Sequence, residues 1–326
     1  MKRSHRWMMF TIVTMMIVAT QLATQMTAEA TSPGSNGVIS YFRSGRTGWG
    51  SVSLRSIHPN GKPAGVLWPA GDHLGSRYHR AVPTDVEWSP DGSVVAFVAT
   101  GSILGYDRLL VGDPATGERS VILRIGRLDD HAFIATIAFA PTGDTLLFCA
   151  VDLGGKNSAH LFTIGTDGRH IGRVSDRPSC LGDWSSTNKI VAVTGAGLRR
   201  IVVMDPDGTN QHPIVSSDRT LERSDPSWSP DGATIVYARP AGTQRRGDLV
   251  AVAADGSSRV RLTHTPRLDE GHPVFAPDGT AIALTKGVSP DDRADLYTMD
   301  ADGSNIQRLT HTPRYVEWTR SWQAVA

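Results

Sequence analysis

Five carboxylates stand one or three residues before a repeated tryptophan, at positions where they could act together. They are Asp85, Glu87, Asp183, Asp225 and Glu317. Residues two apart lie on the same face of a β-strand, so we expect several of these side chains to look into one central channel near one of its mouths. Oxygen clusters suit calcium, which takes about 6–8 oxygen ligands, although no dedicated calcium-binding loop is present. We expect no cofactor, with calcium in the channel and simple hydration of the acids as the two alternatives.

A second set of charged residues lies in the segments that connect successive repeats. The arginines of this set are Arg77, Arg127, Arg177, Arg219, Arg267 and Arg314, and two of the same segments carry His264 and His311. A guanidinium group binds carboxylate or phosphate through two parallel hydrogen bonds, so the set predicts a surface for an anionic ligand or an acidic peptide. Pairing with acids of the same loops is the alternative. Zinc is not expected, because neither histidine has a nearby cysteine or second histidine.

Composition and motifs exclude several classes of function. Without residues 1–30 the chain has 30 basic and 31 acidic side chains, which argues against nucleic-acid binding. The sequence has no G-x-S-x-G elbow, Gly-rich phosphate loop or dinucleotide fingerprint. A lyase or glycosidase stays open, because sugar chemistry can require only two suitably separated carboxylates.

Internal repeats indicate the fold that positions these residues. Residues 248–267 and 295–314 are identical at 13 of 20 positions, with an offset of 47. A period of 40–50 residues is typical of propellers and solenoids. The units contain short runs rich in valine, isoleucine and tyrosine, bounded by glycine and proline, which predict strands rather than helices. The chain is therefore predicted to be an all-β propeller.

Landmark residues give the number of blades. An aromatic residue is expected to end the innermost strand of each blade: Trp88, Phe139, Trp184, Trp228, Phe275 and Trp318. Pairs such as Asp91-Gly92 supply the positive φ of the tight turns. We predict one domain, residues 38–326, with six blades of four antiparallel strands. Residues 315–322 would pair with residues 38–43 and close the ring.

The repeats resemble those of the TolB-type propeller family, also called the WD40-like PD40 repeat. The resemblance covers residues 38–322 and is most specific at residues 88–92, 228–232, 275–279 and 308–310, whereas residues 184–188 lack its proline and glycine. It implies a six-bladed periplasmic propeller that binds a protein; TolB itself binds a peptidoglycan-associated lipoprotein. We expect the α/β domain that precedes the TolB propeller to be absent, since residues 31–37 form only a linker. Related repeats in secreted polysaccharide lyases keep the lyase or glycosidase alternative open.

The first 30 residues have the layout of a secretory signal peptide. Lys2, Arg3 and Arg6 precede an apolar run of 12 residues, and Ala28-Glu29-Ala30 forms a cleavage pattern. The run is shorter than the roughly 20 residues of a membrane-spanning helix, although an uncleaved anchor is the alternative. We therefore expect a periplasmic or secreted chain without a membrane span.

Cys149 and Cys180 are the only cysteines, and they belong to consecutive blades. In an oxidising compartment they could form a disulfide, but buried free cysteines are equally ordinary. Taken together, the sequence predicts a monomeric, non-catalytic binding scaffold for a protein or cell-envelope component, with no nucleic-acid partner.

Overall fold

The computed structural model describes residues 35–45, 52–68, 82–100, 107–125, 132–152, 159–195, 197–217, 221, 224–241, 246–265, 268–289 and 293–325. These residues form 24 β-strands and no α-helix, so the predicted all-β class is confirmed. The predicted signal peptide, residues 1–30, lies outside the described residues. The first strand begins at Ser35, three residues before the predicted start of the propeller.

In chain order the strands are β1 (Ser35–Gly45), β2 (Ser53–Ile57), β3 (Pro63–Trp68), β4 (Val82–Trp88), β5 (Val95–Thr100), β6 (Arg108–Gly112), β7 (Arg119–Arg124), β8 (Ala132–Phe139), β9 (Thr145–Asp152), β10 (Ala159–Gly165), β11 (Gly172–Arg173), β12 (Ser179–Trp184), β13 (Ile190–Thr194), β14 (Arg200–Met204), β15 (His212–Ser216), β16 (Ser227–Trp228), β17 (Thr234–Ala241), β18 (Arg246–Ala253), β19 (Arg259–Arg261), β20 (Asp269–Phe275), β21 (Ala281–Ser289), β22 (Arg293–Asp300), β23 (Gln307–Arg308) and β24 (Tyr315–Val325).

Four sheets contain four consecutive strands each: β4–β7, β8–β11, β12–β15 and β16–β19. A larger sheet of eight strands combines β20–β23 with β24, β1, β2 and β3. Its two halves are joined through one parallel bridge, between Ala294 and Val316, whereas the other pairings are antiparallel. The C-terminal strand β24 pairs with β1 at nine positions, from Ser35 with Val325 to Gly45 with Tyr315.

Tight turns join the first two strands of each sheet. Gly92 has a φ of 70°, and a Cβ added there would lie 1.8 Å from the Ala324 carbonyl oxygen. Only glycine fits this close approach between neighbouring sheets. In the turn without glycine or proline, Asn188 takes a φ of 56° and accepts a hydrogen bond from Trp184 Nε1 at 2.9 Å. The short polar side chain of asparagine tolerates this left-handed conformation, so the turn forms despite its unusual sequence.

The hydrophobic core lies between adjacent sheets. One cluster combines Val98 and Leu109 of the β4–β7 sheet with Ile134 and Phe148 of the β8–β11 sheet. Burying one such side chain contributes about 1.5–3 kcal/mol. Each sheet therefore depends on its neighbours for stability, as expected for the blades of a propeller.

A disulfide between Cys149 of β9 and Cys180 of β12 joins two neighbouring sheets. The sequence had left this bridge and two free thiols as alternatives. Both residues are buried within the core that the two sheets share. A disulfide of this kind typically stabilises a fold by about 2–4 kcal/mol.

The aromatic landmark of β24 was assigned incorrectly. In the other inner strands the landmark pairs with the first buried residue of the next strand, as Trp228 does with Ile235. In β24 the residue in this register is Trp322, which pairs with Ile39. Trp318 pairs with Phe42 instead and is only half-buried. The predicted inner strand is thus correct, but its landmark lies four residues further on.

Candidate functional site at the channel mouth

Residues of β4, β8, β12, β16, β20 and β24, and of the segments just before β16, line two adjoining cavities. The mouth cavity has a volume of about 100 Å³ and lies at the starts of these strands. The aromatic cavity has a volume of about 110 Å³ and is lined by the residues that end the strands. Four residues line both cavities and separate them: Glu87, Asp183, Ser227 and Val274. Two cavities therefore lie beside the predicted carboxylates, and a continuous central channel stays a prediction.

The mouth cavity is built from equivalent positions of the inner strands. The residues three positions before each aromatic landmark all line it: Asp85, Thr136, Leu181, Asp225, His272 and Thr319. Register shifts interrupt the pairing near this level in β4, β8, β12, β20 and β24. A β-bulge of this type adds one residue to a strand and re-aims its side chains, which allows adjacent residues such as Thr319 and Arg320 to line the same cavity.

Backbone strain accompanies these irregularities. Leu181, Asp225 and His272 have φ values of 51°, 39° and 49°, in the left-handed region that residues with a side chain rarely adopt. Asp225 and His272 each precede a proline, which disfavours the right-handed helical conformation for the residue before it. The strained positions therefore coincide with the cavity wall.

Two pairs, each of a basic with an acidic side chain, link neighbouring inner strands across the mouth cavity. Arg320 Nε lies 3.6 Å from Asp85 Oδ1, and His272 Nε2 lies 3.5 Å from Asp225 Oδ2. Arg320 is thus a cation of the cavity, and His272 adds a second base, which is charged only when it is protonated. The sequence had selected neither of them.

Two of the carboxylates also accept backbone hydrogen bonds from the next inner strand. Asp85 Oδ2 accepts from the Ile137 amide at 2.8 Å, and Asp183 Oδ2 accepts from the Trp228 amide at 2.7 Å. The Trp184 amide donates to the other oxygen of Asp183, also at 2.7 Å. These acids therefore connect one strand group to the next.

The pKa values of three acids are shifted upward. Burial raises the pKa of Asp85 to about 6, against the opposing effect of Arg320, and burial likewise raises the pKa of Asp183 to about 6. Burial also raises the pKa of Glu87 well above its ordinary value, and the charges of Asp183 and Asp85 raise it further. The charges of Asp85 and Asp183 are therefore sensitive to pH near 6.

The structure brings four of the five predicted acids together and excludes the fifth. Glu317 does not line either cavity; it is fully buried and lies 2.6 Å from Arg43 Nε. The prediction for Glu317 was wrong because it was counted from Trp318 rather than from Trp322. An equivalent pair, Glu270 with Lys286 at 2.8 Å, occurs 47 residues earlier in the repeat. Glu317 is therefore part of a repeated buried ion pair.

A signal for the correct register was present in the sequence. The repeat offset of 47 relates Phe275 to Trp322, and it also relates His272 to Thr319. Applying this offset to the last repeat would have selected Trp322. It would not have identified Arg320, whose orientation depends on the bulge.

The predicted arginine surface is only partly covered by the structure. Arg77, Arg127, Arg219 and Arg267 lie outside the described residues. Arg177 and Arg314 are exposed in the connections before β12 and β24, and His264 and His311 are exposed in those before β20 and β24. Within the described ranges none of these four side chains forms an ion pair.

A different arginine pair stabilises the duplicated connectors. Arg261 Nη2 donates to Asp248 Oδ2 at 2.5 Å, while Asp248 Oδ1 accepts from the Thr265 amide at 3.1 Å. Arg308 and Asp295 repeat the arrangement 47 residues later. The duplicated motif thus holds the connection to the next inner strand in place.

No group of three histidine, cysteine or acidic side chains in the described part of the chain could hold a metal ion. Calcium in the channel stays a prediction. Among the same residues, no helix is long and apolar enough to cross a membrane.

Comparison with solved structures identifies the fold. No protein-family model and no curated protein matches the sequence. TolB from Acinetobacter baumannii superposes with a TM-score of 0.66 and 17% identity, covering 88% of this chain and 66% of that one, just under two thirds of its length. A chain of the nidogen/laminin complex gives a TM-score of 0.62 and 13% identity, covering 88% of this chain and 97% of that one. Oligogalacturonate lyase from Vibrio parahaemolyticus gives a TM-score of 0.51 and 15% identity, covering 76% and 72%. With its sheets of four antiparallel strands, the chain has a β-propeller fold.

Proposed function

We propose that this chain is a TolB-like, six-bladed propeller that acts as a monomeric, non-catalytic binding scaffold for a protein or cell-envelope component. Six inner strands that each place a buried aromatic residue in the aromatic cavity support the count of six blades. In this proposal the eight-stranded sheet consists of two blades, and the pairing of β24 with β1 closes the ring.

Contacts between consecutive inner strands support the closed ring. The Trp88 amide of β4 donates to the Ser321 hydroxyl of β24 at 3.2 Å, and Trp88 Nε1 donates to Ser40 of β1 at 2.8 Å. The last and first parts of the chain therefore contact the β4–β7 blade together.

The use of Asp85 and Asp183 as acceptors for backbone amides is the observation that carries the non-catalytic assignment. A glycosidase or lyase requires carboxylates that are free to exchange protons with a substrate. Here the next blade engages an oxygen of each acid at 2.8 Å and 2.7 Å. Arg177 and Arg314 are exposed, and they form no ion pair with any other described residue, so they offer a recognition surface for an anionic partner.

A periplasmic or secreted location completes the proposal. The buried disulfide between Cys149 and Cys180 fits an oxidising compartment. Residues 1–30 would serve as the signal peptide, and sequencing the amino terminus of the exported protein should give Thr31.

Capture of partners from a cell-envelope extract tests the scaffold. The variant Arg177→Glu with Arg314→Glu reverses two charges at the mouth face, and Lys62→Glu with Arg169→Glu reverses two exposed charges near the turns of the opposite face. We expect a partner that the wild type and the second variant retain, and that the first variant loses. Equal capture by both variants would contradict binding at the mouth face.

A carbohydrate lyase is the second candidate function. The Asp225–His272 pair could exchange a proton, and Arg320 lines the same cavity. The similarity to oligogalacturonate lyase makes an acidic oligosaccharide the substrate to test. Formation of unsaturated product, followed by ultraviolet absorbance and lost in His272→Gln, would establish this alternative over the scaffold.

A further inference from the structure

The duplicated connectors, residues 261–265 and 308–312, share one conformation. In each of them the arginine that binds an aspartate through Nη2 also donates through Nε to a threonine carbonyl two residues later, at 2.9 Å in the first connector and 2.8 Å in the second. The hydroxyl of that threonine accepts an amide of the neighbouring strand, at 2.9 Å and 3.0 Å. A turn follows in both, since the amide three residues further on donates to the carbonyl of Thr265 or Thr312. The two connectors therefore present their equivalent side chains in the same way.

These contacts account for most of the identical residues of the connectors, but not for the histidines. The arginine and the two threonines of each connector take part in the hydrogen bonds, and the leucine packs against the core. His264 and His311 stand between the two threonines and are exposed. In the part of the chain that the structure describes, neither side chain forms a hydrogen bond, an ion pair or a ring contact. The fold therefore does not explain why a histidine occupies both positions.

A third connector shows that the backbone arrangement does not require histidine. Arg173 Nε donates to the Ser175 carbonyl at 3.1 Å, as the arginines of the duplicated connectors do two residues ahead. The position of the histidines is taken here by Asp176, whose carboxylate lies 3.8 Å from Arg173 Nη1. The same backbone thus accommodates an acid that pairs with its own connector. The free histidines are a separate feature of the duplicated connectors.

We propose that His264 and His311 are two equivalent contact points for an acidic protein segment that carries two clusters of carboxylates. Each imidazole donates a hydrogen bond to a carboxylate of one cluster. This inference rests on the proposed scaffold function and specifies how its partner is recognised.

The charges around the connectors favour an acidic partner. The nearby acids already have a basic side chain or a backbone amide as partner: Asp248, Asp269, Asp295, Glu270 and Glu317. Arg314, three residues after the second histidine, is exposed and forms no ion pair with another described residue. Its guanidinium group can bind a carboxylate of the partner through two parallel hydrogen bonds. The charge that this surface offers to a partner is therefore positive.

Two equivalent contact points make the affinity depend on how many clusters the partner carries. The points lie in consecutive blades of the proposed propeller, at the repeat offset of 47 residues. When one cluster is bound, the second stays close to the other contact point, which raises its effective concentration there. A segment with two clusters therefore binds more tightly than a segment with one, although no new kind of contact forms.

Fluorescence anisotropy with labelled synthetic peptides tests the inference on the full mature chain. One peptide set has two triglutamate clusters joined by glycine–serine linkers of several lengths, a second peptide has one cluster, and a third has glutamine in place of every glutamate. We expect the best two-cluster peptide to bind at least about tenfold more tightly than the one-cluster peptide, and the glutamine peptide not to bind. Equal affinities for one and two clusters, or binding of neither, would overturn the inference.

Matched histidine variants locate the contact points. His264→Asn alone and His311→Asn alone should each reduce the affinity for the two-cluster peptide to that for the one-cluster peptide, and the double variant should bind both weakly and equally. His58→Asn with His170→Asn replaces two exposed histidines near the turns of the opposite face and should leave binding unchanged. Asparagine tolerates the φ of 57° at His170. Unchanged affinity in the folded double variant of His264 and His311 would reject the contact points.

The outcome is separable from that of the scaffold proposal. Partner capture that depends on Arg177 and Arg314 but is unaffected by the double histidine variant would retain the scaffold and reject the two contact points. Histidine-dependent binding of the two-cluster peptide without arginine-dependent capture would retain the contact points and reject the proposed partner surface. Histidine-dependent binding of trigalacturonate, with no binding of any peptide, would overturn the protein segment as the ligand.

Discussion

The two cavities along the inner strands differ in how their residues repeat. The aromatic cavity is lined by tryptophan or phenylalanine from every inner strand: Trp88, Phe139, Trp184, Trp228, Phe275 and Trp322. At the mouth, equivalent positions hold aspartate, threonine, leucine and histidine. Aromatic side chains bury large apolar surfaces, which explains their uniform use between blades. The aromatic cavity, whose residues repeat, thus serves to stabilise the fold. The mouth cavity, whose residues vary between strands, is the candidate functional site.

Removing β24 should disrupt both the aromatic cavity and the mouth cavity. It is the largest loss of stability that we expect. A chain that stops at Arg314 loses Trp322 from the aromatic cavity, Thr319 and Arg320 from the mouth, and the nine-position pairing with β1. Set against a total stability of about 5–15 kcal/mol, this loss should unfold or aggregate the protein.

Size-exclusion chromatography and thermal melting would report the effect of the truncation. A monomeric product with an unshifted melting temperature would contradict the closed ring and the count of six blades.

Substituting a single tryptophan tests the contribution of the aromatic cavity to stability without removing residues of the mouth cavity. Trp322 is 6% exposed, and Trp322→Ala should lower the free energy of unfolding by about 3–5 kcal/mol. Trp318 is half-buried, so Trp318→Ala should cost less. Trp322→Phe should restore most of the stability, because phenylalanine occupies the equivalent position in β8 and β20.

Urea unfolding of these three variants measures the difference. A larger loss in Trp318→Ala than in Trp322→Ala would show that the register of β24 is assigned incorrectly.

The acids of the mouth cavity should affect the pH dependence of the free energy of unfolding, whereas the aromatic residues affect stability through packing. Asp85 and Asp183 have folded-state pKa values of about 6, above the roughly 3.9 of an unfolded aspartate. The folded state therefore binds protons more tightly than the unfolded state. The stabilisation from this effect is complete below pH 4 and is lost as pH rises through about 6.

We expect this contribution to fall by about 1–2 kcal/mol per group between pH 4 and pH 7, since one pKa unit corresponds to about 1.4 kcal/mol and solvent screening reduces the effect. Comparing the pH dependence of unfolding in the wild type and in Asp85→Asn isolates one group. The variant should show a shallower decline, and an identical slope would contradict the raised pKa of Asp85.

The sequence predicted most of the fold because the fold is repetitive. Glycine turns such as the one at Gly92, the strand patterns and the duplicated segments are all local signals. Asp85, Glu87, Asp183 and Asp225 were identified as acids of the mouth by their distance from the aromatic landmarks, whereas Glu317 was misplaced by a register error of four residues.

The positions of Arg320 and His272 and the disulfide depend on local backbone geometry. The alternation of apolar and polar residues along a strand does not encode that geometry. A bulge within β24 orients Arg320, and strained backbone at His272 contributes to its position opposite Asp225. The disulfide could not be decided from the sequence, because it requires that β9 and β12 approach each other between two separate sheets.

Site-specific photo-crosslinking tests the central claim, that partners bind at the mouth and that the opposite face is structural. A photoreactive amino acid replaces Arg177 at the mouth face in one variant and Lys62 near a turn of the opposite face in another, both being exposed positions. After irradiation in cell-envelope extract, the account predicts a defined crosslinked product from position 177 and none from position 62. A product formed only from position 62 would contradict it.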